Sequence, residues 1–305
     1  MTPRNGPIMS IVTTSTISTA PMINKRVVVD WLGIAPFLIF ALLFLILPTI
    51  YLVAGAFLTP DGSLTLKNIG DLFTKSILDS YWISIRVSVA SALGGALIGF
   101  YLAWALVMGG LPAWVRHAFL TFSGVASNFA GVPLAFAFIA TIGRLGLVTL
   151  LLKNWLGFDI FHAGFNLYSF VGLTITYMYF QIPLMVLIIT PALDGMKKEW
   201  REAASILGAT NGQYWLMVAL PILWPSLLGT TLLLFANAFG AIATAIALTG
   251  SSLNIIPIQL YAQIRGDVLH NANLGYAMAL GMIVITGISN VIYIIMRMRA
   301  ERWQK

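Results

Sequence analysis

Side chains able to do chemistry are scarce in this chain, and their spacing excludes most catalytic roles. The three histidines, His117, His162 and His270, lie far apart and form no pair at metal-ligand spacing, so they read as loop or interface residues and no metal site is expected. Cysteine is absent, which removes disulfides and thiolate sites together. No G-x-x-x-x-G-K-[ST] segment is present to cradle a nucleotide phosphate. What remains is a set of polar residues inside long apolar blocks: Asn128, Tyr177, Gln181, Asn237 and Asn290. Such a residue either hydrogen-bonds a neighbouring helix or provides a polar station along a translocation pathway. Asn128 with Gly131 and Pro133, and Gln181 with Pro183, stand out because a broken helix frees backbone groups that a pathway can use. Tyr177 and Tyr179 neighbour the second of these sites.

The elements that must position these residues are membrane helices. Of 305 residues, 59% are hydrophobic and 9% are charged, with mean hydropathy +0.91, whereas an ordinary soluble domain has roughly 25% charged residues. So few charges cannot cover a water-soluble globule of this size. The net charge of +7 is spread over loops and termini without aromatic interleaving, which argues against nucleic acid as a partner. Six apolar blocks run from about Trp31 to Phe57, Ile83 to Val107, Ala118 to Ile142, Leu167 to Thr190, Ser226 to Leu248 and Tyr276 to Met296. Each is near or above the ~20 residues needed to cross a bilayer. The sequence predicts an all-α membrane protein of six spans, residues 31–297, between a polar tail at 1–30 and a short tail at 298–305. Ala54-Gly55-Ala56 offers a cleavage-like triplet, but the first block is too long for a typical signal segment and reads as an uncleaved span.

With both termini cytoplasmic, the inner segments hold Arg4, Lys25, Arg26, Arg116, Lys197, Lys198, Arg201, Arg297, Arg299, Arg302 and Lys305, which is 11 basic residues. The outer segments hold Lys67, Lys75, Arg86, Arg144, Lys153 and Arg265, which is 6, and the positive-inside rule selects this orientation. No Asp, Glu or Lys falls within a block, and Arg86 lies near the outer end of the second. Ion-coupled carriers usually keep ionisable groups at the midplane. Neither a TVGYG-like filter nor an acidic ring suggests a channel. Uphill transport would therefore draw its energy from another subunit. Gly95 and Gly99 form a G-x-x-x-G step suited to close helix approach.

The one long polar segment on the expected cytoplasmic side, residues 194–225, reads as two short helices. Trp200, Ala203, Ala204 and Leu207 form an apolar stripe on the first, with Lys197, Lys198, Arg201 and Glu202 largely on other faces. Gly208 suits the turn, Thr210-Asn211-Gly212-Gln213 fits a capping box, Leu220-Pro221 is expected to close the second helix, and Pro225 suits the start of the fifth span.

The spacing Glu202-Ala203-Ala204, x3, Gly208, x9, Val218-Ala219-Leu220-Pro221 resembles the EAA loop of binding-protein-dependent ABC importer permeases, E-A-A-x3-G-x9-I-x-L-P, with Val for Ile. The resemblance implies a coupling loop, Glu202, Ala203, Ala204, Gly208, Leu220 and Pro221, docked on a separate ATP-binding subunit that hydrolyses ATP-Mg. It further implies a second permease subunit, identical or not, an external solute-binding protein, membrane lipid as surroundings, and a bacterial inner-membrane location. No cofactor is expected on this chain and no covalent chemistry by it. The outer loop at 255–280 looks most like the polyamine permease group, related to permeases for iron, thiamine and aminoethylphosphonate. It has Asn273-Leu274-Gly275-Tyr276 where some polyamine members carry Trp-Pro ahead of a Gly-Ala stretch. Outer residues 254–273 are the expected docking surface for the binding protein. The rivals are an ion-coupled carrier, a passive channel and an ABC exporter, the last disfavoured by the EAA spacing.

Overall fold

A computed structural model describes residues 25–250, 252–265 and 271–303; the remaining parts of the expected tails, and His270, lie outside the described residues. The described residues contain fourteen α-helices, two π-helical stretches and no strand, with one isolated bridge between Leu58 and Leu64. Six helical stretches are long and apolar enough to cross a membrane: Gly33–Gly55, Lys75–Met108, Val132–Leu156, Phe170–Asp194, Asn211–Phe239 and Ala272–Arg299.

The N-terminal unit ends at Tyr51. It consists of α1 (Lys25–Ala41), a π stretch (Leu42–Ile46) and the start of α2 (Leu47–Gly55). The helix thus begins within the segment expected as a tail. The π stretch has a local cause: Pro48 has no N–H to give to the carbonyl four residues back, and the widened turn just before it absorbs the mismatch.

The second unit starts at Leu52 with the end of α2, followed by α3 (Lys67–Asp71), α4 (Lys75–Met108), α5 (Ala113–Asn128), α6 (Val132–Ile142), α7 (Leu147–Leu156) and α8 (Phe170–Asp194). It continues with α9 (Lys198–Ile206), α10 (Asn211–Tyr214), a second π stretch (Trp215–Ala219), α11 (Leu220–Phe239), α12 (Ile242–Thr249), α13 (Ile256–Arg265) and α14 (Ala272–Trp303). α4 is longer than expected because its outer turns carry Lys75 and Asp79 past the apolar block. At ~1.5 Å per residue, 34 residues exceed a ~30 Å hydrocarbon core and leave those charges in water.

Packing is organised by small residues. Ser80, Ser84, Ser88, Ser91, Gly95, Gly99 and Ala103 are buried along one face of α4. Lipid gives little hydrophobic drive between helices, so close contact supplies the attraction. At Gly95 and Gly99 the approach of α8 is so tight that a Cβ would lie 2.8 Å from Gln181 Cβ and 2.6 Å from Met185 Cβ. The G-x-x-x-G step is therefore the α4–α8 contact. α14 is tied in by Tyr81, whose hydroxyl donates to the Met278 carbonyl at 2.6 Å, and by Ser289 Oγ, which donates to the Leu232 carbonyl of α11 at 3.0 Å.

The break expected beside Asn128, Gly131 and Pro133 is present: the block at 118–142 is two helices, α5 and α6, separated at 129–131, and the apolar stretch continues through a turn into α7. Two other expectations are corrected. Gln181-Pro183 breaks nothing: α8 runs unbroken through Pro183 and Pro191. The second break instead falls in the fifth block, at Gly240–Ala241. Leu220-Pro221 also fails to end a helix. Pro221 occupies the first turn of α11, where a missing N–H is harmless, and the preceding π stretch keeps residues 211–239 helical.

Candidate functional site

The two helix breaks face each other. α5 ends at Asn128 and α6 starts after Gly131, which takes φ +75°, a conformation open to glycine and strained for other residues. α11 ends at Phe239 and α12 starts after Ala241. Backbone groups released by a break must find partners within the protein. The Gly131 N–H donates to Thr244 Oγ1 at 2.8 Å, joining one break to the other, and the Tyr177 hydroxyl donates to the Ala241 carbonyl.

Between them is a cavity of about 510 Å³ that includes Asn128, Asn237, Gly131, Gly240 and Thr244 in its lining. Asn128 and Asn237 are exposed, although Asn128 Nδ2 also donates to the Gly124 carbonyl of its own helix at 2.8 Å. The first turn of α12, Ile242 to Thr244, lines the same cavity, whereas α6 reaches it only through its N-cap Gly131. Among the described residues its lining contains no carboxylate and no cation. The chemistry offered is neutral hydrogen bonding plus the positive end of one short helix, α12.

The other polar candidates are elsewhere. Tyr177 is buried and serves as the clamp on the second break. Gln181 is fully buried and donates to Ser91 Oγ at 3.2 Å, so it belongs to the α4–α8 seam. Asn290 lies on α14, away from the cavity lining. Sequence reading missed Thr244 and Gly240; the Phe-Gly-Ala step at 239–241 was the available signal.

The loop after α8 is a helical hairpin. Gly208 takes φ +78° at its turn, and no atom stands within 4 Å of the position its Cβ would occupy. Thr210 Oγ1 accepts from the Gln213 N–H while Gln213 Oε1 accepts from the Thr210 N–H, completing the capping box. Glu202 and Ala203 are exposed, Ala204 is half-buried, and Ile206 and Leu207 are 85% and 86% exposed. This chain therefore leaves much of the predicted apolar stripe uncovered. At the root of the hairpin Arg116, in the first turn of α5, pairs with Asp194 at the end of α8. The hairpin thus connects with both broken helices, through that ion pair to α5 and through the π stretch to α11.

On the opposite side of the spans, after α7, Asp159 Oδ2 is 2.9 Å from His162 Nδ1 and 3.2 Å from Lys153 Nζ. The His162 hydrogen bond, then that from Lys153, holds the Asp159 carboxyl far below the usual carboxylate range.

No protein-family profile matches the chain. It is 31% identical over 169 residues to the probable sulfate transport system permease protein CysT of Zygnema circumcarinatum, covering 54% of each chain. It is 25% identical over 224 residues to CysT of Salmonella typhimurium, covering 72% of this chain and 75% of that one. To the molybdenum transport system permease protein ModB of Escherichia coli it is 28% identical over 186 residues, covering 60% and 78%. The matches to CysT of Chlorella vulgaris, Anthoceros angustus and Zygnema circumcarinatum span only 62%, 54% and 54% of those relatives' length. Two solved structures share the fold. One is a bacterial ABC transporter importing alginate (TM-score 0.61, 21% identity, 92% of this chain and 99% of that one). The other is an alginate ABC transporter with its pentasaccharide-bound periplasmic protein (TM-score 0.64, 18% identity, 92% and 96%). The chain is a multi-pass membrane protein with the fold of ABC-importer membrane subunits, and its relatives include sulfate and molybdenum transport system permease proteins.

Proposed function

We propose that this chain is the permease subunit of a binding-protein-dependent ABC importer and that its cargo is a small oxyanion of the sulfate or molybdate class. The observation that carries this is the mechanical continuity from an exposed EAA hairpin, through one helical rod, to a broken helix bordering a polar cavity. The hairpin, with Glu202, Ala203, Ala204 and Gly208, docks on an ATP-binding subunit, which alone binds and hydrolyses ATP-Mg. A second permease completes the pathway, and a solute-binding protein delivers cargo from the outer side. Both termini and the hairpin are cytoplasmic, and the complex sits in the bacterial inner membrane.

Closure of two ATPase subunits displaces the docked hairpin as a rigid lever. The stroke reaches α11 along its own axis and α5 through Arg116–Asp194, so the two breaks move relative to each other. Asn128 and Asn237 line the cargo route, and the N-terminal end of α12 favours negative charge there.

A polyamine cargo is the weaker reading. A polycation needs carboxylates or stacked aromatics, this lining supplies neither Asp nor Glu, and the relatives named above carry sulfate and molybdenum names.

The test is reconstitution of the assembled complex in proteoliposomes with labelled sulfate, molybdate and putrescine. ATP-dependent accumulation of an oxyanion is expected. Putrescine accumulation would restore the polyamine assignment, and flux without ATP would remove the importer reading altogether.

A further inference from the structure

A second cavity, about 990 Å³, lies between the hairpin and the last turns of α4. Its floor is aromatic: Trp104 and Trp215 meet edge to face with ring centroids 6.0 Å apart, and Met108, the last residue of α4, closes one end. Its rim is basic, formed by Lys197, Lys198 and Arg201, all exposed, against the single carboxylate of Glu202. Arg201 Nη2 donates to Asn211 Oδ1 at 3.3 Å, which links α9 to the start of α10. The groove stands where α4 and α8 both end, at the level of a membrane–water boundary. Tryptophan sits at that depth by preference, and cations there meet lipid phosphates.

We propose that this groove binds an anionic phospholipid, with an acyl chain against Trp104 and Trp215 and the phosphate against Lys197, Lys198 and Arg201. Charge complementarity favours this occupant, as does a floor continuous with spanning helices. A water-soluble anion would make no use of the two indoles. A lipid held here lies beneath the lever that carries Glu202, so the leaflet's anionic lipid content bears on how firmly the hairpin is supported. The proposal requires no transport by this chain, and its failure would leave the importer reading untouched.

The experiment is titration of the purified full-length chain in neutral detergent with dioleoyl phosphatidylglycerol or dioleoyl phosphatidylcholine, read by native mass spectrometry. Saturable binding of phosphatidylglycerol, at least tenfold tighter than phosphatidylcholine, is expected. Each cation near an anionic lipid surface contributes roughly fivefold, so the triple change K197Q/K198Q/R201Q should weaken binding by about two orders of magnitude. Lys153→Gln, which removes a distant cation, should leave it unchanged. Trp104→Ala keeps the charges and should reduce the advantage of long over short acyl chains, which keeps the proposal testable should the triple variant fold poorly. Three results would overturn it: equal affinity for the two lipids, displacement of phosphatidylglycerol by equimolar glycerol 1-phosphate, or its loss when the ATPase subunit joins the complex. The last would make the groove part of the protein interface.

Discussion

Replacing Gly208 separates conformational strain from steric contact in the hairpin proposed to couple to the ATP-binding subunit. The residue has φ +78° and nothing within 4 Å of its would-be Cβ, so in the isolated chain a side chain meets no obstacle and the whole cost is backbone. For an ordinary L-residue the left-handed conformation costs roughly 1–2 kcal/mol, with β-branched residues faring worst and Asn among the best tolerated. Gly208→Val should therefore lower the population of the native turn about 5- to 30-fold relative to its alternatives. Gly208→Asn should recover most of that loss. The assay is ATP-driven uptake by the reconstituted complex, paired with amide hydrogen exchange over residues 198–214. The Val variant should show reduced uptake and faster exchange confined to the hairpin, while the spans keep their helical signal. The reasoning fails if Val matches the wild type in both readouts. It fails differently if Asn is as damaging as Val, since the determinant would then be side-chain bulk against a partner.

Glu202→Lys, a change on an exposed residue, should abolish uptake while leaving the detergent-solubilised chain's helical content and melting temperature intact; normal uptake would remove the coupling assignment. Gly99→Ala should destabilise the α4–α8 seam by about 1–3 kcal/mol, because its Cβ would lie 2.7 Å from the Ile182 carbonyl oxygen as well as 2.6 Å from Met185. Gly124→Ala, with open space around it, should be neutral or slightly stabilising in the same melt. Asn237→Leu should cut transport far more than assembly, measured as uptake per assembled complex; equal loss of both would make Asn237 a packing residue. Since the folded-state pKa of Asp159 is depressed, the stability it contributes is fully present above the ordinary carboxylate value and is lost as pH falls below it toward the folded value. Hydrogen exchange of residues 157–166 should accelerate in that acidic window, and Asp159→Asn should abolish the pH dependence.

Sequence reading succeeded where one local signal dominates. Block length sets the number of crossings, the 208–213 segment carries its own turn and cap, and Gly95 with Gly99 marks the close α4–α8 contact. It went astray where proline was taken as decisive. Pro183 and Pro191 sit inside α8, a long helix buried among neighbours that can re-satisfy the freed carbonyls. Pro221 is absorbed by a π stretch. The break that matters at 240–241 has no proline at all. Its cause is tertiary, since Tyr177 and Thr244 hold backbone groups that no linear pattern pairs with them. For the same reason Asn128 and Asn237, 109 positions apart, could be singled out separately while their meeting at one cavity could not. Tyr177 and Gln181 share polarity and neighbourhood with the cavity residues, yet the face of α8 they occupy turns them into structural ties.

The π stretch at Trp215–Ala219 has a consequence in rotation. Five residues of wide helix hold about one residue more than an α-helix of that rise, and each residue turns an α-helix by about 100°. The stretch therefore sets the angular phase between the hairpin and α11, much as the mounting of a cam on its shaft sets which way a follower is driven. Deleting one residue within 215–219 would preserve the hairpin, the broken helix and nearly all the length between them, while pointing the hairpin's docking face a quarter-turn or more away from its present bearing. On the proposed reading as a permease, the chain can thus be retuned through a short segment that touches neither cargo nor nucleotide.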